Sequence, residues 1–176
     1  MKFTETVLKG AFLIDIEPIE DERGFFARSW CKQELEARGL NSKVAQCSIS
    51  FNREQGTLRG LHYQAKPYEE VKLVWCSVGA ICDVIVDLRP DSPSYKKWVA
   101  NNLTAENRRI LYVPEGLAHG FQTLQDRTEV HYQISECYRA EYSRGIRWDD
   151  PAFQIDWPLS KRIISARDKM FPDFAE

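Results

Sequence analysis

Apolar and polar positions alternate, or run together in short blocks between turn residues, along most of the chain. FLIDIEPI (12–19), FFARSW (25–30), KVAQCSISF (43–51), TLRGLHYQ (57–64), VKLVWCSV (71–78), AICDVIVDLR (80–89), RRILYVP (108–114) and VHYQISECY (130–138) read as strands. Another apolar strand follows the Pro-Glu-Gly turn in VPEGLAHGFQTL (113–124). CKQELEARG (31–39) has helical spacing and stops at Gly39, and a second short helix is expected within SKRIISARDKM. No internal repeat, low-complexity tract or linker divides residues 1–176, so one domain is expected. Many short strands at near-regular spacing, with few and peripheral helices, predict an all-β sandwich or barrel of the jelly-roll kind.

Two details of the strand pattern bear on chemistry. A two-residue turn at Val78-Gly79 would pair Val74 with Asp83 and Lys72 with Ile85 in a hairpin. Lys72 and Asp83 would then share a face with Val74, Cys76, Ile81 and Ile85, where charges are costly unless paired or working. In GTLRGLHYQ (56–64), Arg59 and His62 stand three residues apart and should point to opposite faces of a regular strand. A bulge at Gly60 would break that alternation.

Composition narrows the class without naming a function. At 176 residues, 43% hydrophobic and 28% charged, the chain has ordinary values for a soluble globular protein. No apolar run approaches the roughly 20 residues that span a bilayer. The opening MKFTETVLKG has no signal-peptide apolar segment, so a cytoplasmic location is expected. A net charge of -2 argues against general nucleic-acid binding and leaves room for a local basic pocket. The five cysteines (31, 47, 76, 82 and 137) form no C-x-x-C pair and fit reduced thiols, mostly in the core.

Candidate chemistry centres on two of the three histidines, His62 and His119, each near glycine in an apolar strand. A three-histidine, one-glutamate metal set would need H-x-H, but Gln64 stands two residues after His62 and His131 has no ligand spacing to the others. A site without metal or cofactor is therefore expected. An imidazole can take a proton from carbon beside a carbonyl if the resulting oxyanion is neutralised. Lys72 qualifies for that second task, Tyr132 or Tyr138 as the acid that returns the proton, and Asp83 or Asp168 as the carboxylate behind the histidine. Arg23 and Arg59, each followed by glycine, suit a phosphate group.

DERGFF, LRGLHYQ, VKLVWCSVGAICDVIVDLRPDSPSY, LTAENRRILYVPEGLAHGF, EVHYQISECY, WDDPAFQIDWP and SARD, in this order over nearly the whole chain, resemble the dTDP-4-dehydrorhamnose 3,5-epimerase family. The resemblance implies a metal-free cupin-type jelly roll acting on a nucleotide-linked 4-keto-6-deoxy sugar. It implies a homodimer in which the N-terminal part of one subunit helps build the partner's pocket, with no nucleic-acid or membrane partner. It also implies His62 as general base, Asp168 as its partner, Lys72 at the enolate oxygen and Tyr132 as the opposite-face acid. Arg23, Gln46, Arg59, His119 and Arg167 match substrate-binding positions, and Asp83 the carboxylate near His119 or Lys72.

Three positions depart from the family pattern. Arg28 and Arg144 stand where glutamates are usual, and Ser48 where asparagine is usual. Thymine offers an N–H at ring position 3, which a carboxylate accepts, whereas cytosine offers a bare nitrogen, to which an arginine donates. Arg28 and Arg144 are therefore candidate nucleobase contacts, and a CDP-linked substrate is the alternative to a dTDP-linked one. Further alternatives are a 3,4-ketoisomerase and a non-catalytic sugar-nucleotide-binding module.

Overall fold

The computed structural model describes residues 1–175. Its strands form two facing antiparallel sheets. One contains, in spatial order, β1 (Lys2–Glu5), β2 (Phe12–Asp15), β10 (Ile110–Val113), β7 (Lys72–Val78), β12 (Thr128–Ile134) and β5 (Gln46–Asn52). The other contains β13 (Ser143–Gly145), β6 (Leu58–Gln64), β11 (Leu117–Thr123), β8 (Ala80–Asp87) and β9 (Trp98–Thr104). A separate hairpin, β3 (Ile19–Asp21) with β4 (Gly24–Phe26), projects outward with every residue exposed. The arrangement is the cupin-type jelly roll, and sequential strands that switch sheets account for its interleaved order.

Burial follows from which faces are covered. Val74, Cys76, Ile81, Ile85, Leu111, Phe121 and Val130 fill the space between the sheets. The outer face of the five-stranded sheet is covered by the C-terminal segment through Ile146, Phe153 and Trp157. Both sides of β8 are thus dry, and all its residues are buried, which is why AICDVIVD reads as a run rather than an alternation. The outer face of the other sheet packs Leu73, Ile110 and Tyr112 against α1 (Lys32–Glu36) through Leu35. Among the described residues, no helix is long and apolar enough to cross a membrane.

The hairpin expected at Val78-Gly79 does not form. Both edges of β7 are occupied, by β10 and β12, and both edges of β8 by β11 and β9. Gly79 (φ +78°) instead carries the chain from one sheet to the other. Lys72 and Asp83 do share the interior, but by facing each other across the sandwich. The strand expected over 12–19 is broken after Asp15, the one expected over 25–30 is confined to Gly24–Phe26, and the helix expected over 31–39 closes at Glu36. The second helix is α2 (Ala166–Lys169), whose Ser165 accepts the N–H of Asp168 at its first turn.

Candidate active site

Strand β6 supplies the first wall of the site, and its irregularity decides which side chains enter. His62 lies opposite His119 on β11, while Arg59 lies opposite Phe121, so β6 spends one extra residue over this interval. The bulge brings Arg59 and His62 to the same face, and both line one cavity. It requires glycine on both strands. A side chain on Gly60 (φ +120°) would stand 2.6 Å from Gly120 Cα and 2.8 Å from the His119 carbonyl oxygen.

The cavity holds about 690 Å³ and opens between the two sheets. On the β6 wall, His62 Nε2 lies 2.8 Å from Asp168 Oδ1, a residue delivered by α2 from the far end of the chain. The His62 side chain is 39% exposed and that of Asp168 only 7%. Burial opposes the Asp168 charge, but the hydrogen bond and charge of His62, with the Gly60 N–H and the Ser165 hydroxyl, hold its carboxyl below the usual range. With Nε2–H donating to Asp168, Nδ1 of His62 keeps the lone pair a base needs. The Phe171 ring packs edge-on against the imidazole, 5.8 Å between centroids.

A second pair lies deeper. His119 Nε2 is 2.8 Å from Asp83 Oδ2, with side-chain exposures of 5% and 0%. Here burial dominates and pushes the Asp83 carboxyl up, while His119 and Lys72 pull it back. Asp83 sits behind His119 and does not itself line the cavity.

The opposite wall comes from the six-stranded sheet. Tyr132 projects from β12 towards the same space, with its ring edge-on to His119. Burial, reinforced by the Asp83 charge and opposed by Arg59, raises its phenol well above the ordinary tyrosine range, so it stays protonated at neutral pH. Lys72, at the start of β7, reaches across to donate to the His62 carbonyl oxygen at 3.3 Å. An imidazole on one wall, a phenol on the other and an ammonium between them suit proton removal beside a ketone and return from the other side.

The remaining sequence candidates divide. Gln46, Arg59 and Arg167 line the cavity, as does Ser48. Arg59 is steadied by Asn52 Oδ1 at 2.8 Å, and Arg167 donates to Ser143 Oγ at 2.8 Å. Gln46 accepts the Tyr138 N–H at 2.5 Å and so holds Tyr138 at the cavity rim. Three arginines lie outside the cavity of their own chain. Arg23 is on the projecting hairpin, 83% exposed and paired with Asp21. Arg28 pairs with Glu34 of α1. Arg144 turns outward and donates to the Glu141 and Ser143 carbonyls, leaving Ser143 as the β13 residue that faces the cavity. The exchange that would favour cytosine is thus absent from this chain's own cavity wall.

Glu70 and the structural role of Gln64 escaped the sequence reading. Glu70 lines the cavity, its Oε1 2.9 Å from Lys72 Nζ. Its position two residues before a buried lysine is the only local signal. Gln64 accepts the Arg139 N–H at 2.6 Å and donates to the Tyr68 and Cys137 carbonyls, pinning the turn that carries Tyr138. Among the described residues, no group of three or more His, Cys, Asp or Glu side chains is placed to hold a metal ion.

Comparison with known proteins is consistent along the whole chain. The sequence model of the family described as dTDP-4-dehydrorhamnose 3,5-epimerase matches residues 5–176. A protein of that name from Shigella flexneri is 40% identical over 169 residues, covering 96% of this chain and 93% of its own length. The structure of a dTDP-4-dehydrorhamnose 3,5-epimerase from Bacillus anthracis with TDP and pyrophosphate bound is 42% identical. It superposes with a TM-score of 0.94, covering 98% of this chain and 99% of that one. A Legionella pneumophila enzyme in complex with dTDP-4-keto-L-rhamnose is 31% identical, with a TM-score of 0.88 and 99% of both chains covered.

Proposed function

The chain belongs to the dTDP-4-dehydrorhamnose 3,5-epimerase family, isomerases of nucleotide-linked 4-keto-6-deoxy sugars, and we propose that its cavity works by the following proton transfers. His62 takes the proton from a carbon beside the ketone, and the C–H electron pair moves into an enolate whose charge rests on the ketone oxygen. Asp168 stabilises the imidazolium so formed. Lys72 faces the oxyanion. Tyr132 returns a proton to the same carbon from the other side, which inverts the centre, and solvent restores both groups. The observation that carries this reading is that His62 and Tyr132 enter one cavity from different sheets, with Lys72 bridging between them.

Arg59, Arg167 and Gln46 are the chain's own contacts for the nucleotide diphosphate portion, and His119, backed by Asp83, for the sugar. Arg23 belongs to the binding set only if a second copy supplies it. Exposure of the β3–β4 hairpin supports a homodimer in that role: its residues are exposed, Phe25 and Phe26 stand beside Arg23, and none of them lines the active-site cavity. The same arrangement would carry Arg28 towards the partner. A cytoplasmic location follows from this reading, since the substrate is a sugar nucleotide.

The test is incubation in deuterated water with dTDP- and CDP-linked 4-keto-6-deoxyglucose. Label entering carbon 3, carbon 5 or both of the dTDP sugar is the expected result, and it reads the regiochemistry directly. Exchange confined to the CDP sugar would transfer the substrate to cytidine. Tight binding of either nucleotide without any exchange would leave a binding module and overturn the mechanism.

A further inference from the structure

We propose that Glu70 is a positioning residue that orients the Lys72 ammonium toward the bound ketone. The proposal deepens the mechanism above and rests on Lys72 serving the oxyanion. An ammonium has three N–H donors in tetrahedral array. One faces Glu70 Oε1 at 2.9 Å, and one faces the His62 carbonyl oxygen at 3.3 Å. With two directions taken, the third is fixed, and both side chains line the cavity in which it ends.

The pair is built into the wall rather than lying on the surface: Lys72 is 9% exposed and Glu70 11%. Glu70 lies just before β7, and its carboxylate meets the Lys72 ammonium in the cavity wall. The intervening Val71 is clamped, its N–H donating to Ser135 Oγ at 2.8 Å and its carbonyl accepting the Ser135 N–H at 3.0 Å. Glu70 also has a competitor. Asp83 is fully buried, has one carboxylate oxygen without a hydrogen-bond donor, and feels the Lys72 charge. Without Glu70, that carboxylate draws the ammonium inward, away from the cavity.

A double-mutant cycle over Glu70→Ala and Lys72→Ala tests the assignment, with turnover of the dTDP-linked 4-keto sugar and binding of dTDP measured for each protein. Glu70→Ala is expected to lower kcat about 30-fold with KM and dTDP affinity changed by less than about threefold. Glu70→Gln, whose amide oxygen still accepts, should recover kcat to within about fivefold of the original. In the Lys72→Ala background the Glu70→Ala change should cost less than about twofold, because Glu70 acts only through the lysine. Equal losses in both backgrounds, or unchanged kcat in Glu70→Ala, would overturn the Glu70 role alone. Full turnover in Lys72→Ala would remove the lysine from the mechanism and Glu70 with it. Should Glu70→Ala fail to bind dTDP, Glu70→Leu, which fills the space but accepts no hydrogen bond, carries the same two outcomes in the same cycle.

Discussion

His62 and His119 stand opposite one another on β6 and β11, each with Nε2 2.8 Å from an aspartate oxygen, yet their aspartates differ in character. Asp168 is held below its usual pKa and Asp83 is pushed above it. The imidazole distance cannot explain this, because it is the same. Deeper burial of Asp83 explains part of it, and the number of further donors the rest. Asp168 gains the Gly60 N–H and the Ser165 hydroxyl, whereas Asp83 keeps one oxygen without any partner in a dry interior. A third carboxylate extends the comparison. Asp87 shares strand β8 with Asp83 and is also sealed from solvent, but it lies nearer the surface, Arg89, Ser92 and Ser94 all donate to it, and its pKa is lowered to about 2. The comparison teaches that depth and donors together set the direction in which a buried aspartate's pKa moves, fewer donors and deeper burial raising it. It also separates an imidazole open to the cavity from one almost closed off in the wall.

The most direct way to break the comparison is to remove each histidine. His62→Ala should lower kcat by about 10²–10⁴-fold, abolish deuterium exchange and leave dTDP affinity within about tenfold. His119→Ala should act mainly on KM, with kcat down only about tenfold. Equal kcat losses would erase the distinction between the pairs. The aspartates sharpen it: Asp168→Asn should cost about 100-fold in kcat and Asp83→Asn less than about tenfold, read in the same assay.

Gly60→Ala tests the bulge that places Arg59 with His62. With a Cβ 2.6 Å from Gly120 Cα, the two strands must part, and a loss of about 3 kcal/mol in stability is expected by chemical denaturation. Asp87→Asn removes a carboxylate that the fold holds ionised. A lowering from 3.8 to about 2 corresponds to about 2 kcal/mol, present above pH 3.8 and lost as the pH falls towards 2, while kcat should not change.

The smallest effect is the pH dependence of stability. The lowered pKa of Asp168 contributes stability above its unfolded value of 3.8, lost as the pH falls through the folded value. The raised pKa of Asp83 has the opposite sign, since protonating it relieves a buried charge as the pH falls. Denaturation between about pH 3 and 7 should therefore show a shallower acid decline in Asp168→Asn than in the original protein, and a steeper one in Asp83→Asn. Parallel curves would contradict the assigned directions.

KVAQCSISF was legible as a strand because side chains alternate about it, yet in the fold its polar Gln46, Ser48 and Ser50 line the cavity while Ile49 and Phe51 are exposed. WVANNLT (98–104), which forms β9, was not read as a strand, because Asn101 points inward and interrupts the apolar series. His62, His119, Lys72 and Tyr132 stood out as charged or polar groups in apolar strands, a pattern that is costly without a purpose. Glu70 and Gln64 did not, because nothing in their neighbours indicates that Glu70 meets a buried lysine or that Gln64 ties down a distant turn.

By itself the sequence determined the jelly-roll class, through local periodicity, and the family, through motifs that resemble it in order over nearly the whole chain; the residue types named candidate reactive groups with alternatives left open. Tertiary structure alone decided that Lys72 and Asp83 lie on different sheets and that Arg59 and His62 share a face. Those outcomes depend on which strand occupies each sheet edge and on one extra residue opposite Gly120. Such pairings are settled by contacts between distant segments competing for the same hydrogen-bonding edge, and local pattern carries no record of who wins.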